Sequence, residues 1–273
     1  MNLLEIGVVG FAATSSLMTT LWIVSIDLED VSIVDLFWGP AFVLNAATGL
    51  WLTGAGSSLR WLMFGVVFVW GTRLALHLAM RKVGEAEDHR YAKMRETHGH
   101  SFWWKSLWIV FLFQALLAST ISLPIHAVML KGGSVGVLSL LGGSLAMVGV
   151  LIEATADRQL RVFLESEESS GRVLKSGLWR YSRHPNYFGD AVVWWGFGLI
   201  ALEVGAWYAL LGPILMTFLL LRVSGVALLE KTIVTRRPEY EDYIRRTSPF
   251  IPWPPKVLEN PSDVGRHSKE TPY

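Results

Sequence analysis

Cysteine is absent from the 273 residues. That removes disulfides, thiolate nucleophiles and cysteine-ligated zinc from consideration, and no metal site is expected. Charge is scarce: 17% of residues are Asp, Glu, Lys or Arg, against roughly 25% in soluble domains. The net charge of +1 says little as a total, and no nucleic-acid partner is expected from it. A basic stretch ahead of the first apolar run, as a cleavable signal would carry, is also missing. The run from Leu3 to about Ser25 is long enough to span and reads as a retained helix. No internal repeat is visible, so the inverted repeats of transporters are not suggested.

What the chain has is apolar surface. Hydrophobic residues make up 52% of it, and 13 are tryptophan. A soluble domain of this size could not hide so much, whereas a bilayer-embedded one need not, and Trp favours the membrane interface. A helix needs about 20 mostly apolar residues to cross the hydrocarbon core. Residues 3–25, 32–53, 60–80, 106–130, 134–155, 186–203 and 206–229 meet that need. The expected fold is therefore an all-α polytopic membrane protein of about seven transmembrane helices. Pro124 is expected to kink the fourth, and Glu203 to Gly205 form a tight hairpin between the sixth and seventh. Residues 1–256 read as one integral-membrane domain, and the polar tail 257–273 as disordered.

Lys and Arg set the orientation. Arg81, Lys82, Arg90, Lys93, Arg95 and Lys105 follow the third span; Arg158, Arg161, Arg172, Lys175, Arg180 and Arg183 follow the fifth; Arg222 ends the seventh. In a seven-span alternation all these fall on one side, and the other keeps Arg60 and Lys131. The N-terminus is expected outside and the C-terminus in the cytoplasm, with an active site opening to the cytoplasm; in a bacterial source the membrane would be the inner or plasma membrane.

Ionisable groups inside a membrane segment cost several kcal/mol and point to function. Asp35 sits a few residues into the second span. It reads equally as an interfacial carboxylate reaching water or as a desolvated acid able to donate while neutral. Arg73, His77 and Arg81 share one face of the third span at i, i+4 and i+8. Arg81 reads as snorkelling, His77 as packed or functional, and Arg73 as facing a cavity or an anion. Glu153, Asp157 and Arg161 repeat the spacing where the fifth span ends, and an i,i+4 ion pair accounts for them on spacing alone. Asn186 and Asp190 share a face of the sixth span, and Arg222 and Glu230 lie on the seventh. Such faces suit a ligand cavity or interhelical bonding.

The richest segment is Gly177-Leu178-Trp179-Arg180-Tyr181-Ser182-Arg183-His184-Pro185-Asn186-Tyr187-Phe188-Gly189-Asp190. Pro185 is placed to start a helix, since its missing N–H costs nothing in the first turn. Free N–H groups and a positive dipole end would then lie among Arg180, Arg183 and His184, a setting for an anion or phosphate. The other reading is a basic turn against lipid head groups.

This segment, with Trp194-Trp195-Gly196, Glu87-Asp88-His89-Arg90-Tyr91, Asp157-Arg158-Gln159 and Tyr240-Glu241-Asp242-Tyr243, resembles the DUF1295 family. That family is grouped with steroid 5-alpha-reductases, sterol reductases and isoprenylcysteine carboxyl methyltransferases. The resemblance implies a seven-helix membrane enzyme that binds NADPH from the cytosolic side and reduces a conjugated carbon–carbon double bond in a steroid-like or other lipid substrate. It implies a cofactor-binding half at about 150–256, with Asp157, Arg161, Asn186, Asp190 and Arg222 as cofactor residues. Arg180, Arg183, His184, Tyr187, Glu230, Tyr240 and Tyr243 would add further contacts. The reductases hold the substrate carbonyl with a Gln-Glu pair on their second helix and a Tyr on their third. Neither lies in the second and third spans here, so Asp35 and His77 are the nearest substitutes as catalytic residues. The methyltransferases share Arg183-His184-Pro185, Tyr187, Glu230 and the paired Tyr240 and Tyr243, which implies S-adenosylmethionine as the alternative cofactor. A non-enzymatic lipid binder is the third reading. No obligate protein partner is implied.

Overall fold

A computed structural model of the chain describes residues 1–166, 169, 171–223 and 239–256. Among these residues every regular element is helical, and four helical runs are long and apolar enough to cross a membrane: Leu3–Leu28, Ser58–Lys82, His89–Ile121 and Val137–Glu165. The protein is thus a helical membrane protein. It divides into two compact units, one of residues 1–150 and 191–217, the other of residues 151–190 and 218 onward.

In the first unit, α1 (Leu3–Leu28) starts at Asn2, whose side chain caps Glu5 N–H while the Glu5 carboxylate returns to the Asn2 backbone. It stops at Glu29, which adopts the left-handed conformation at φ 52°. The expected span 32–53 is broken: a single turn, α2 (Ile33–Leu36), gives way at Phe37 to α3 (Trp38–Thr53). At 1.5 Å per residue, α3 covers only ~24 Å of a ~30 Å core. Next, α4 (Ser58–Lys82) is capped by the Ser57 hydroxyl at Arg60 N–H.

The expected span 106–130 is also interrupted. It begins in the polar helix α5 (His89–His98), which the hydropathy pattern did not foretell, and continues through α6 (Phe102–Ser106), a π-helical stretch at Leu107–Leu112, and α7 (Phe113–Ile121). It breaks at Ser122, and Pro124 enters at the start of α8 (Leu123–Lys131) rather than in a helix interior. That placement satisfies proline's missing donor. The two longest later helices, α9 (Val137–Glu165) and α10 (Pro185–Glu203), each run through both units. After a turn at Trp207–Leu210, α11 (Leu211–Phe218) ends in a second π-helical stretch, Leu219–Val223.

The core of the first unit is aromatic. Trp70, Trp194, Phe42 and Phe197 are fully buried, with Phe42 against Trp194 at 4.8 Å and Trp70 edge-on to Trp194 at 5.5 Å. Such tilted pairings suit the ring quadrupoles. Backbones approach closely where glycine allows it. A Cβ on Gly39 would stand 2.3 Å from the Gly71 carbonyl, and one on Gly142 would stand 2.6 Å from that of Gly196.

Both cations expected on the far side of the membrane hold main chain. Arg60 donates to the Met129, Thr53, Gly54 and Leu130 carbonyls, closing the C-termini of α3 and α8. Lys131 donates to Val204 O, and Glu203 accepts from Ser139 N–H at the start of α9. These are the groups that helix ends leave open. Mid-helix, Asn45 of α3 donates to Thr14 Oγ1 of α1 and accepts from His126 Nε2 of α8 at 3.0 Å, all three buried.

Candidate active site

The first unit places Asp35 at the centre of a polar cluster. Tyr91 OH donates to its Oδ1 at 2.7 Å, and Arg90 Nη2 donates to its Oδ2 at 2.7 Å. Arg90 is itself gripped by Asp88 through Nε and Nη2. Gln114 Nε2 donates to the Tyr91 oxygen at 3.2 Å. Each partner has a structural origin. The helix breaks at Phe37, two residues after Asp35. Asp88 caps Arg90 N–H at the start of α5, so Arg90 and Tyr91 sit in its first turn. The π-helical stretch lies just before Gln114, and a wide turn of this kind changes the face on which later residues emerge.

Both oxygens of Asp35 are therefore acceptors, and the phenol of Tyr91 is the proton donor of the cluster. The sequence reading of Asp35 as a neutral acid assigns it the other part. A carboxylate facing a guanidinium and a phenol is the arrangement hydrogen-bond chemistry favours. Tyr91 belongs to the Glu87–Tyr91 motif, but its polar, pre-span position hid its contact with Asp35. Gln114 carried no signal in an apolar run. His77 is half-buried on α4, on the face it shares with Arg73.

The surrounding loop is braced by charge. Arg95 forks onto Glu87, Glu87 accepts from Val31 N–H, and Lys82 pairs with Asp30 at 2.8 Å. Burial pushes the Asp30 carboxyl up, but hydrogen bonds from Lys82 and Ser32 outweigh it and hold the group below the ordinary value. Burial acts likewise on Asp88, and the bonds from Arg90 again prevail and lower it.

The second unit gathers most of the expected cofactor residues. Asn186 Nδ2 donates to Asp157 Oδ1 at 3.0 Å, while Asn186 Oδ1 accepts from Tyr187 N–H. Helix α10 starts at Pro185, as its chemistry dictates. Gln159 accepts from Leu178 N–H, and Trp179 Nε1 donates to Ala156 O. These bonds join the turn at 177–180 to α9. Gly177 has φ +60°, and a Cβ there would meet the Gln159 amide at 2.4 Å.

His184 is buried and stacks on Tyr187 with ring centroids 5.6 Å apart. Asp190 and Glu153 are buried too, whereas Arg161, Arg180 and Arg222 are exposed. Arg183 is buried against the carbonyls of Ile244 and Thr247. Tyr240 and Tyr243 are buried on α12 (Tyr240–Arg246), rings 5.5 Å apart. Glu230, residues 224–229 of the expected seventh span and the tail 257–273 lie outside the described residues. Among the described residues no cluster of His, Asp and Glu could hold a metal ion.

Comparisons with known proteins bear on this geometry. A family model described as "Protein of unknown function (DUF1295)" matches residues 21–247. An uncharacterised protein of Schizosaccharomyces pombe is 28% identical over 284 residues, covering 90% of this chain and 79% of its own. A 3-oxo-5-alpha-steroid 4-dehydrogenase 1 of Bos taurus is 32% identical over 68 residues, 25% of this chain and 26% of that one. The chain thus matches only about a quarter of the bovine enzyme's length. No solved structure matches.

Proposed function

Because the chain belongs to the DUF1295 family, we propose that it is a membrane oxidoreductase which reduces a carbon–carbon double bond conjugated to a carbonyl in a steroid-like or other lipid substrate, with NADPH as reductant. The partial similarity to a steroid dehydrogenase supports an oxidoreductase, and the finer reading rests on the chemistry of the two clusters. It includes seven spans, with the C-terminus and the cofactor entrance on the cytoplasmic side.

One observation carries the reading: a buried tyrosine hydroxyl held between a carboxylate and an amide, Tyr91 between Asp35 and Gln114. Addition of hydride to the β-carbon of an enone puts negative charge on the carbonyl oxygen, and a positioned acid lowers the barrier to that step. In this reading Tyr91 supplies that acid: its one O–H, which donates to Asp35 Oδ1 in the free protein, turns to the carbonyl oxygen when substrate binds. Gln114 fixes its oxygen, and Asp35, anchored by Arg90, fixes the plane of approach. The α-carbon then takes a proton from water, so the net change is enone plus NADPH plus one solvent proton to saturated carbonyl product plus NADP⁺.

Bound NADPH would supply the hydride. The amide of Asn186 fits a carboxamide partner. Among the described residues its bonds to Asp157 and to Tyr187 N–H use one of two donor hydrogens and one of two lone pairs, so the amide has a donor and an acceptor besides. Arg161, Arg180 and Arg222 are exposed cations suited to phosphate groups.

The test is thermal stability of the purified protein in detergent with NADPH, NADH or S-adenosylmethionine. A ligand at about 100 times its Kd stabilises by roughly 2.7 kcal/mol. The reading expects a shift with NADPH that is lost in Asn186→Ala. A shift with S-adenosylmethionine alone would put methyl transfer in its place.

A further inference from the structure

The segment that leads into α10 is tied to the C-terminal stretch of the same unit. Arg183 is 6% exposed. Its Nη1 donates to Ile244 O at 3.0 Å and to Thr247 O at 2.6 Å, and its backbone N–H donates to Ser248 O at 2.8 Å. A terminal guanidinium nitrogen carries two hydrogens, so these two carbonyls use all that Nη1 has. The carbonyls belong to the end of α12, where the chain leaves acceptors open and a cation is favoured. Thr247 N–H closes Tyr243 O, and Lys256 N–H closes Arg246 O, so Arg183 completes a cap made otherwise by backbone.

The tie is reinforced on both sides of Arg183. Tyr243 OH donates to Trp179 O, with Ser182 O at 3.3 Å. Ser182 Oγ donates to Phe250 O at 2.7 Å and accepts from His184 N–H. Trp253 N–H donates to Tyr181 O. Three residues after Arg183 comes Asn186, and Pro185 between them has its φ fixed by its ring. Whatever sets the backbone at residues 182–184 therefore sets the direction in which Asn186 leaves.

Resting on the reductase reading, we propose that Arg183 and Tyr243 are positioning residues, which hold Asn186 against Asp157 by locking the α10 entry to α12, and that neither meets the cofactor phosphates. This differs from what the sequence implied for both. A phosphate-binding arginine offers its fork outward, whereas Nη1 of Arg183 is taken by two main-chain carbonyls.

The experiment is hydrogen–deuterium exchange on the full chain in detergent without cofactor, paired with NADPH affinity, for Arg183→Lys, Tyr243→Phe and Asn186→Ala. Arg183→Lys and Tyr243→Phe should raise exchange at least tenfold in peptides covering 178–187 and 240–250 and weaken NADPH binding. Peptides from α1 to α4 should exchange as in the wild type, which separates the tie from a general loss of stability. Asn186→Ala should weaken NADPH binding with exchange unchanged. Weakened NADPH binding with unchanged exchange in Arg183→Lys would overturn the proposal and make Arg183 a direct contact. Raised exchange in a protein whose wild type binds no NADPH would keep the tie and remove the reductase reading instead.

Discussion

The phenol of Tyr91 donates to Asp35 Oδ1 across 2.7 Å while the amide of Gln114 donates to the same phenolic oxygen. The two bonds fix that oxygen at a distance and an angle, the precondition for a general acid. Replacing Tyr91 by Phe keeps the ring's packing and removes the proton. Turnover of any enone the protein reduces should fall by ~10²–10⁴-fold, the usual contribution of a positioned acid. Steady-state kinetics and a melting curve for Tyr91→Phe check this, with the midpoint expected to move little by comparison.

Acid should destabilise the protein through Asp30 and Asp88. Both carboxyls are held below their ordinary value in the folded chain. Their contribution is therefore fully present above the unfolded-state pKa of about 3.9 and is lost as pH falls through the lower folded values. Melting midpoints in detergent should be flat down to about pH 4 and fall below it. Asp30→Asn, which loses the 2.8 Å pair with Lys82, should lower the midpoint at neutral pH and make the acid slope shallower.

The buried Asn45 links α1, α3 and α8 through Thr14 and His126. Removing it leaves two polar groups without their partner in an apolar interior, a cost of about 1–3 kcal/mol for a buried group. Asn45→Ala should lower the melting midpoint by more than Thr14→Val does, since Thr14→Val leaves the His126 bond in place. Double-mutant melting curves would expose the coupling.

Glycine at position 39 admits the backbone of α4. The Gly71 carbonyl would stand 2.3 Å from an added Cβ, and it is main chain that cannot swing aside. Gly39→Ala should cost about 1–3 kcal/mol through overpacking. Gly65, whose Cβ position is open, should accept Ala with no loss on the same melting assay.

Much of the helical layout was legible in the sequence, because apolar runs long enough to span are a coarse and robust signal. The start of α10 at Pro185 followed from local chemistry. The breaks at Phe37 and Ser122 did not, since each falls inside an apolar run and is set by packing. The same limit hid the site. Asp35 stood out because charge inside an apolar run is costly, but its partners Arg90 and Tyr91 lie 55 and 56 residues away, and no local pattern joins them. Arg183 was visible as a cation near a helix start, while the carbonyls that take it come from residues 244 and 247. Sequence shows which groups are unusual; folding decides whether they face a ligand or the main chain.

The most direct test of the account is hydride tracing. NADPH deuterated at the transferable position would be incubated with the detergent-purified protein and cholest-4-en-3-one or a panel of lipid enones, and the products analysed by mass spectrometry. The account predicts deuterium at the β-carbon of a saturated product, one label per turnover, reduced to a trace in Tyr91→Phe and in Asn186→Ala. Saturated product formed at the wild-type rate by Tyr91→Phe, or a methyl group transferred from S-adenosylmethionine with no enone reduced, would contradict it.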